Sequence, residues 1–100
     1  MSITIPPVLT PESYLRTIKL QDGGIRALTH LALVRGPDGQ PRRAYVKQFP
    51  HSAPRSLLNE WFGYILMSAL CVPQPEAGVL LAPVPNDNRS AWSFVSFEAL

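Results

Sequence analysis

Arg43-Ala44-Tyr45-Val46-Lys47-Gln48-Phe49, then Pro50-His51-Ser52-Ala53-Pro54, then the apolar run Arg55 to Cys71, is the stretch on which the fold turns. The first segment is rich in β-formers and alternates. Alternation places Tyr45, Lys47 and Phe49 on one face of a strand. The two prolines break that strand. Ser52 reads as a helix N-cap, and Pro54 is tolerated in a first turn. From Arg55 to Cys71 the apolar spacing is helical, with Leu58, Phe62, Ile65, Leu66 and Ala69 sharing a face that Leu57, Trp61 and Tyr64 extend. Cys71-Val72-Pro73-Gln74-Pro75 ends the helix, because proline pushes the preceding residue out of the helical region.

Working outward, Gly36-Pro37-Asp38-Gly39-Gln40-Pro41 is a hairpin signal, with proline fixing φ and glycine accepting a positive φ. It joins the Arg43–Phe49 strand to one over Ala27–Arg35. Gln21-Asp22-Gly23-Gly24 is a turn back to a first strand, Tyr14–Leu20. After the helix, Gly78–Ala82 and Trp92–Phe97 read as strands, separated by a polar turn from Pro83 to Ser90. The reading is α+β: a five-stranded antiparallel sheet with one main helix, in the order β-β-β-α-β-β. Residues 1–13, which hold Pro6, Pro7 and Pro11, read as an extended lead-in to a single domain over residues 14–100.

Composition narrows the function classes. The chain has 100 residues, 46% of them hydrophobic, and a net charge of +2. One domain of this size carries a modest core. The basic residues are scattered, with only Arg42 and Arg43 adjacent, which argues against a nucleic-acid stripe. The single cysteine, Cys71, forbids an intrachain disulfide and lies in an apolar run, where a thiol is expected to be buried. No segment is long and apolar enough for a membrane helix, and Met1 to Pro7 lacks the pattern of a signal peptide. The expected setting is the cytoplasm. His30 and His51 lack metal-ligand spacing, and Asp22, Asp38 and Asp87 lie in turns, so no metal site is expected.

Two charges stand out. Glu60 is the only charged residue between Arg55 and Glu76, on a helix otherwise largely apolar. A carboxylate on a packed face needs a partner. Lys47 is the cation inside the third strand, and a helix crossing that face brings the two together. The alternative is that both are solvated, with Lys47 reaching outward along its stem.

The words around these charges resemble HipA-like serine/threonine kinases. Tyr45-Val46-Lys47-Gln48-Phe49-Pro50 resembles the strand that carries the phosphate-facing lysine. Asn59-Glu60 followed by Tyr64-Ile65-Leu66-Met67-Ser68-Ala69-Leu70 resembles that family's Asn-Glu helix. Cys71 to Ala77 resembles the helix exit, with Cys71 where glycine is common. Phe94-Val95-Ser96-Phe97-Glu98 resembles the last strand running into the hinge. The resemblance covers about Tyr14 to Leu100 and is most specific over Tyr45 to Ala77.

It implies a kinase small lobe. Lys47 would face nucleotide phosphates, Glu60 would hold Lys47, Gly23 and Gly24 would sit in the loop over the nucleotide, and Ser96 and Phe97 would offer backbone groups to adenine. The cofactor would be ATP with Mg²⁺. The base and the metal-holding carboxylates belong to the large lobe, so no catalytic residue is assigned and the chain is not expected to act as an enzyme alone. Two functions follow. The preferred one is a non-catalytic protein-binding module, such as an anti-CRISPR-like or antitoxin-like inhibitor from a phage or mobile element, gripping its partner through the hinge-side face with Trp92, Phe94 and Phe97 exposed. The other is the ATP-binding small lobe of a truncated kinase.

Overall fold

A computed structural model of the chain describes residues 4–20, 28–49, 55–85 and 88–99. The expected loop from Gln21 to Arg26, with Gly23 and Gly24, lies outside these residues, as do His51, the Ser52 cap, Pro54 and Asp87.

Five strands and one helix follow in the expected order: β1 (Tyr14–Leu20), β2 (Leu28–Arg35), β3 (Pro41–Gln48), α1 (Arg55–Ala69), β4 (Ala77–Pro83) and β5 (Ser90–Phe97). The sheet is antiparallel throughout, with spatial order β1-β2-β3-β5-β4. The β2–β3 hairpin turns as its residues dictate. Gly39 takes φ 83°, its N–H donates to the Gly36 carbonyl at 2.9 Å, and the Asp38 carboxylate accepts from the Gln40 N–H at 3.1 Å. β1 is an edge strand interrupted by two register shifts, which disrupt an otherwise open row of backbone groups.

Register assigns the two faces. On β3 the even positions Arg42, Ala44, Val46 and Gln48 point to one side, and Tyr45 and Lys47 to the other. The even side is the main core, where Ala44 and Val46 join Ala32, Val34, Leu80, Ala82, Val95 and Phe97. Its ends are polar. Arg42 lies with its guanidinium 4.8 Å from the centre of the Phe97 ring and bonds Glu76 at 2.5 Å. At the other end, the Gln48 amide donates to the Ala82 and Pro83 carbonyls and to Ser93 Oγ at 3.1–3.3 Å.

The main core is closed by residues expected to be a mere lead-in. Val8 bridges Val79 in parallel, the Leu9 N–H donates to the Val79 carbonyl at 2.7 Å, and the Val79 N–H donates to the Pro7 carbonyl at 2.8 Å. A 3₁₀ turn, Pro11–Ser13, then carries the chain into β1. Residues 8–14 therefore run from one edge strand, β4, to the other, β1. Leu9 and Tyr14 pack on the main core on the way. Residues 4–13 belong to the same body as the sheet.

The helix packs on the odd face, but through a different side from the one its spacing suggested. Tyr64 is its buried residue, and Leu57 and Trp61 join it against Ala77, Val79 and Phe94. Leu58, Phe62 and Leu66 point outward, 42%, 59% and 59% exposed. Polar anchors explain the choice. The Trp61 indole donates to the Pro6 carbonyl at 3.3 Å, and the Tyr64 hydroxyl donates to the Pro75 carbonyl at 2.6 Å. The helix ends at Ala69 in a Schellman turn. The Val72 N–H reaches the Met67 carbonyl at 3.0 Å and the Cys71 N–H the Ser68 carbonyl at 3.1 Å. Cys71 takes the left-handed position, φ 61°, and is exposed rather than buried. The conformation that glycine favours turns it out of the apolar run.

Candidate functional site

The odd face of β3 carries Tyr45 and Lys47, and cross-strand neighbours extend it. Thr29 and Phe94 stand opposite Lys47 on β2 and β5, and Ser96 stands opposite Tyr45. Phe94 is covered by α1, and Ser96 is half-buried. Lys47 lies at the border between the helix-covered and open parts of the sheet.

Glu60 meets Lys47 there, its carboxylate oxygen accepting from the Lys47 ammonium. The pair is part-exposed, with 44% of the Lys47 side chain and 34% of Glu60 open to solvent. Its contribution to stability is therefore small, roughly 0–1 kcal/mol. What it provides is position. A lysine stem has four rotatable bonds, and a carboxylate rising from a packed helix holds its ammonium on one part of the sheet face. Two protons of that ammonium remain for an anionic ligand.

Glu60 also borders a groove of about 350 Å³ between α1, the segment that follows it and β5, with Tyr64, Met67, Pro75, Phe94 and Ser96 among its walls. The groove is large enough for a small ligand.

Of the residues implied by the resemblance, Lys47, Glu60 and Ser96 come to one side of the sheet. Phe97 does not. Its ring is 2% exposed in the opposite core beneath Arg42, and its N–H already donates to the Glu76 carbonyl at 2.8 Å. Residues three apart in a strand face opposite sides, so Phe94 and Phe97 cannot line one surface. The expected apolar hinge-side patch is reduced in the same way. Phe94 and Phe97 are buried and Trp92 alone of the three is exposed, at 47%. The larger apolar surface lies on the outside of α1, which the helical periodicity did not separate from the packed side.

Sequence reasoning also missed a buried polar cluster under the other face. His30, 1% exposed, shares a hydrogen bond of 2.8 Å between Nε2 and the Tyr14 hydroxyl, which also bonds Thr17 Oγ1 at 2.6 Å. Burial lowers the His30 pKa and raises that of Tyr14, so both are held neutral. His30 is a core histidine. Among the described residues, no group of three or more His, Cys, Asp or Glu side chains is placed to hold a metal ion, and no helix is long and apolar enough to cross a membrane.

No family model, no curated protein and no solved structure matches this chain.

Proposed function

We propose that the chain is a non-catalytic binding lobe of the HipA-like small-lobe type, holding one side of a nucleotide-phosphate site that another protein surface completes. The observation that carries this reading is the Lys47–Glu60 pair at the open border of the sheet face. A helix carboxylate fixing a third-strand ammonium is the arrangement by which a small lobe meets phosphate. The pair is accessible, so an anion can approach Lys47 while Glu60 stays bound to it. Transfer of the phosphoryl group would further require a base and Mg²⁺-holding carboxylates facing Lys47, and Glu60 is already committed to the lysine. The reading carries a cytoplasmic setting with it, because the ligand is ATP.

Calorimetric titration of the folded chain with Mg-ATP tests it, with Lys47→Ala as control. Saturable binding that the substitution removes supports the phosphate site. Binding that survives the substitution, or none by a folded chain, overturns it.

A second reading has its own observation. Tyr45 and Trp92 are 43% and 47% exposed on the same sheet face as Lys47. Exposed aromatic side chains flanking a charge are the composition of protein-binding hot spots. In this reading the fold serves to grip another protein, as an inhibitor of a host defence or toxin system would. Its signature is partner binding that Trp92→Ala reduces and Lys47→Ala leaves unchanged.

A further inference from the structure

Among the described residues, the outer face of α1 has no partner. Leu58, Phe62 and Leu66 recur every fourth residue along it, with Leu70 at the same spacing just past its end, and they are 42%, 59%, 59% and 64% exposed, with Met67 and Val72 beside them at 44% and 42%. Helices apolar on all sides are normally covered on all sides. About half of each of these six side chains amounts to roughly 500 Å² of apolar surface, near the upper end of what monomers expose. Buried on two copies it comes to about 1,000 Å², the lower bound for a specific interface.

Three features select the occupant. The stripe is self-complementary. Its four positions are symmetric about residue 64, so an antiparallel copy sets Phe62 against Leu66 and Leu58 against Leu70. A ridge also lies beside a groove on the same surface. Phe62 forms the ridge, while Gly63, Leu66 and Met67 help line the groove beside it. A two-fold axis then seats the ridge of each copy in the groove of the other. Finally, the stripe carries no charge, so it meets its own copy without like-charge repulsion. Arg55 lies at the helix start, and Glu60 is turned to Lys47.

Gly63 has no other explanation among the described residues. Glycine inside a helix is destabilising relative to alanine, and nothing lies within 4 Å of where its Cβ would stand. No neighbour among the described residues requires the space. A helix backbone approaching from a second copy would. We infer that this chain forms a symmetric homodimer in which two α1 helices pack antiparallel through Leu58, Phe62, Leu66 and Leu70, crossing next to Gly63. The groove that takes the partner's ridge is also bordered by Glu60, which holds Lys47, so the dimer contact and the nucleotide site would meet along one edge of the helix.

Sedimentation velocity over a dilution series tests it. The unmodified chain is expected to sediment as a dimer that dissociates on dilution, and Phe62→Asp as a monomer with an unchanged circular dichroism spectrum. A second measurement does not depend on how that variant folds. In a Cys71→Ser background, Gly63→Cys should yield disulfide-linked dimers under mild oxidation, whereas Lys19→Cys, exposed on the edge strand β1, should not. A chain that stays monomeric throughout, a dimer that Phe62→Asp leaves intact, or equal cross-linking from both cysteines overturns the inference. A monomer that instead binds a different protein through Phe62 would assign the face to that partner.

Discussion

Lys47 and Glu60, thirteen residues apart in sequence, form an ion pair that ties the C-terminal end of β3 to the first half of α1. The pair fixes the rotation of the helix over the sheet together with the Trp61 and Tyr64 anchors. Because it is part-exposed, its removal should matter more to a ligand than to the fold. Lys47→Ala is expected to change unfolding free energy by less than about 1 kcal/mol, measured in urea. If phosphate binds at Lys47, Glu60→Gln should weaken Mg-ATP about tenfold, about 1.4 kcal/mol, because the ammonium loses its anchor without losing its charge. Equal affinity in Glu60→Gln would show that the carboxylate does not position the lysine.

Cys71 offers a test of backbone strain. It occupies the left-handed position of a Schellman turn with φ 61°, where a β-carbon costs about 1–2 kcal/mol. Cys71→Gly removes that cost but loosens the unfolded chain, which returns about 0.4–1 kcal/mol. The balance favours glycine by about 0.5 kcal/mol, a rise in Tm of about 2–4 °C for a domain of this size. Cys71→Ala, which keeps the β-carbon, should leave Tm nearly unchanged. A thermal melt of the two variants decides it, and equal Tm values would remove the strain argument.

How far these features could be read from residues differs by mechanism. The β2–β3 hairpin was legible because Gly36 to Pro41 sets its own geometry. The Lys47–Glu60 contact was legible because few other charges compete nearby. The packed side of α1 was not, because apolar residues lie all round the helix and the choice falls to indole and phenol hydrogen bonds with Pro6 and Pro75. Phe97 was misplaced because a strand buried on both faces shows no alternation. Only its register, Phe97 opposite Ala44 and Phe94 opposite Lys47, separates the two rings. The docking of Pro7 to Leu9 on Val79 depends on contacts some seventy residues away, for which a proline-rich segment carries no local signal.

That docking depends on Gly78. A β-carbon there would stand 2.9 Å from Leu9 Cδ1 and 3.3 Å from the Pro7 carbonyl oxygen. The leucine can rotate, but the carbonyl belongs to the backbone that pairs with Val79. Gly78→Ala should push residues 7–9 off β4 and open the main core where Leu9 covers it. The expected cost is about 1–3 kcal/mol, the range for overpacking. Hydrogen exchange gives the more specific readout: the amides of Leu9 and Val79, paired across this contact, should lose protection before those of β3. Unchanged protection in Gly78→Ala would mean that the arm accommodates the methyl group.

His30 makes stability depend on pH, with a sign that the geometry fixes. It is buried, its Nε2 is engaged with Tyr14, and its Nδ1 has no partner among the described residues. Burial lowers its pKa from the usual 6.5, so the folded chain holds it neutral. The unfolded chain exposes it and binds a proton near pH 6.5. Below that pH the unfolded state carries more protons, and stability falls as pH falls. The loss continues until the folded pKa is passed, and above 6.5 this group contributes no slope. Urea midpoints measured from about pH 8 to pH 5, the range where histidine titrates, should decline on the acid side. His30→Gln, which cannot be protonated, should flatten that part of the curve even where it lowers stability overall. A slope that persists unchanged in His30→Gln would assign the dependence to other groups.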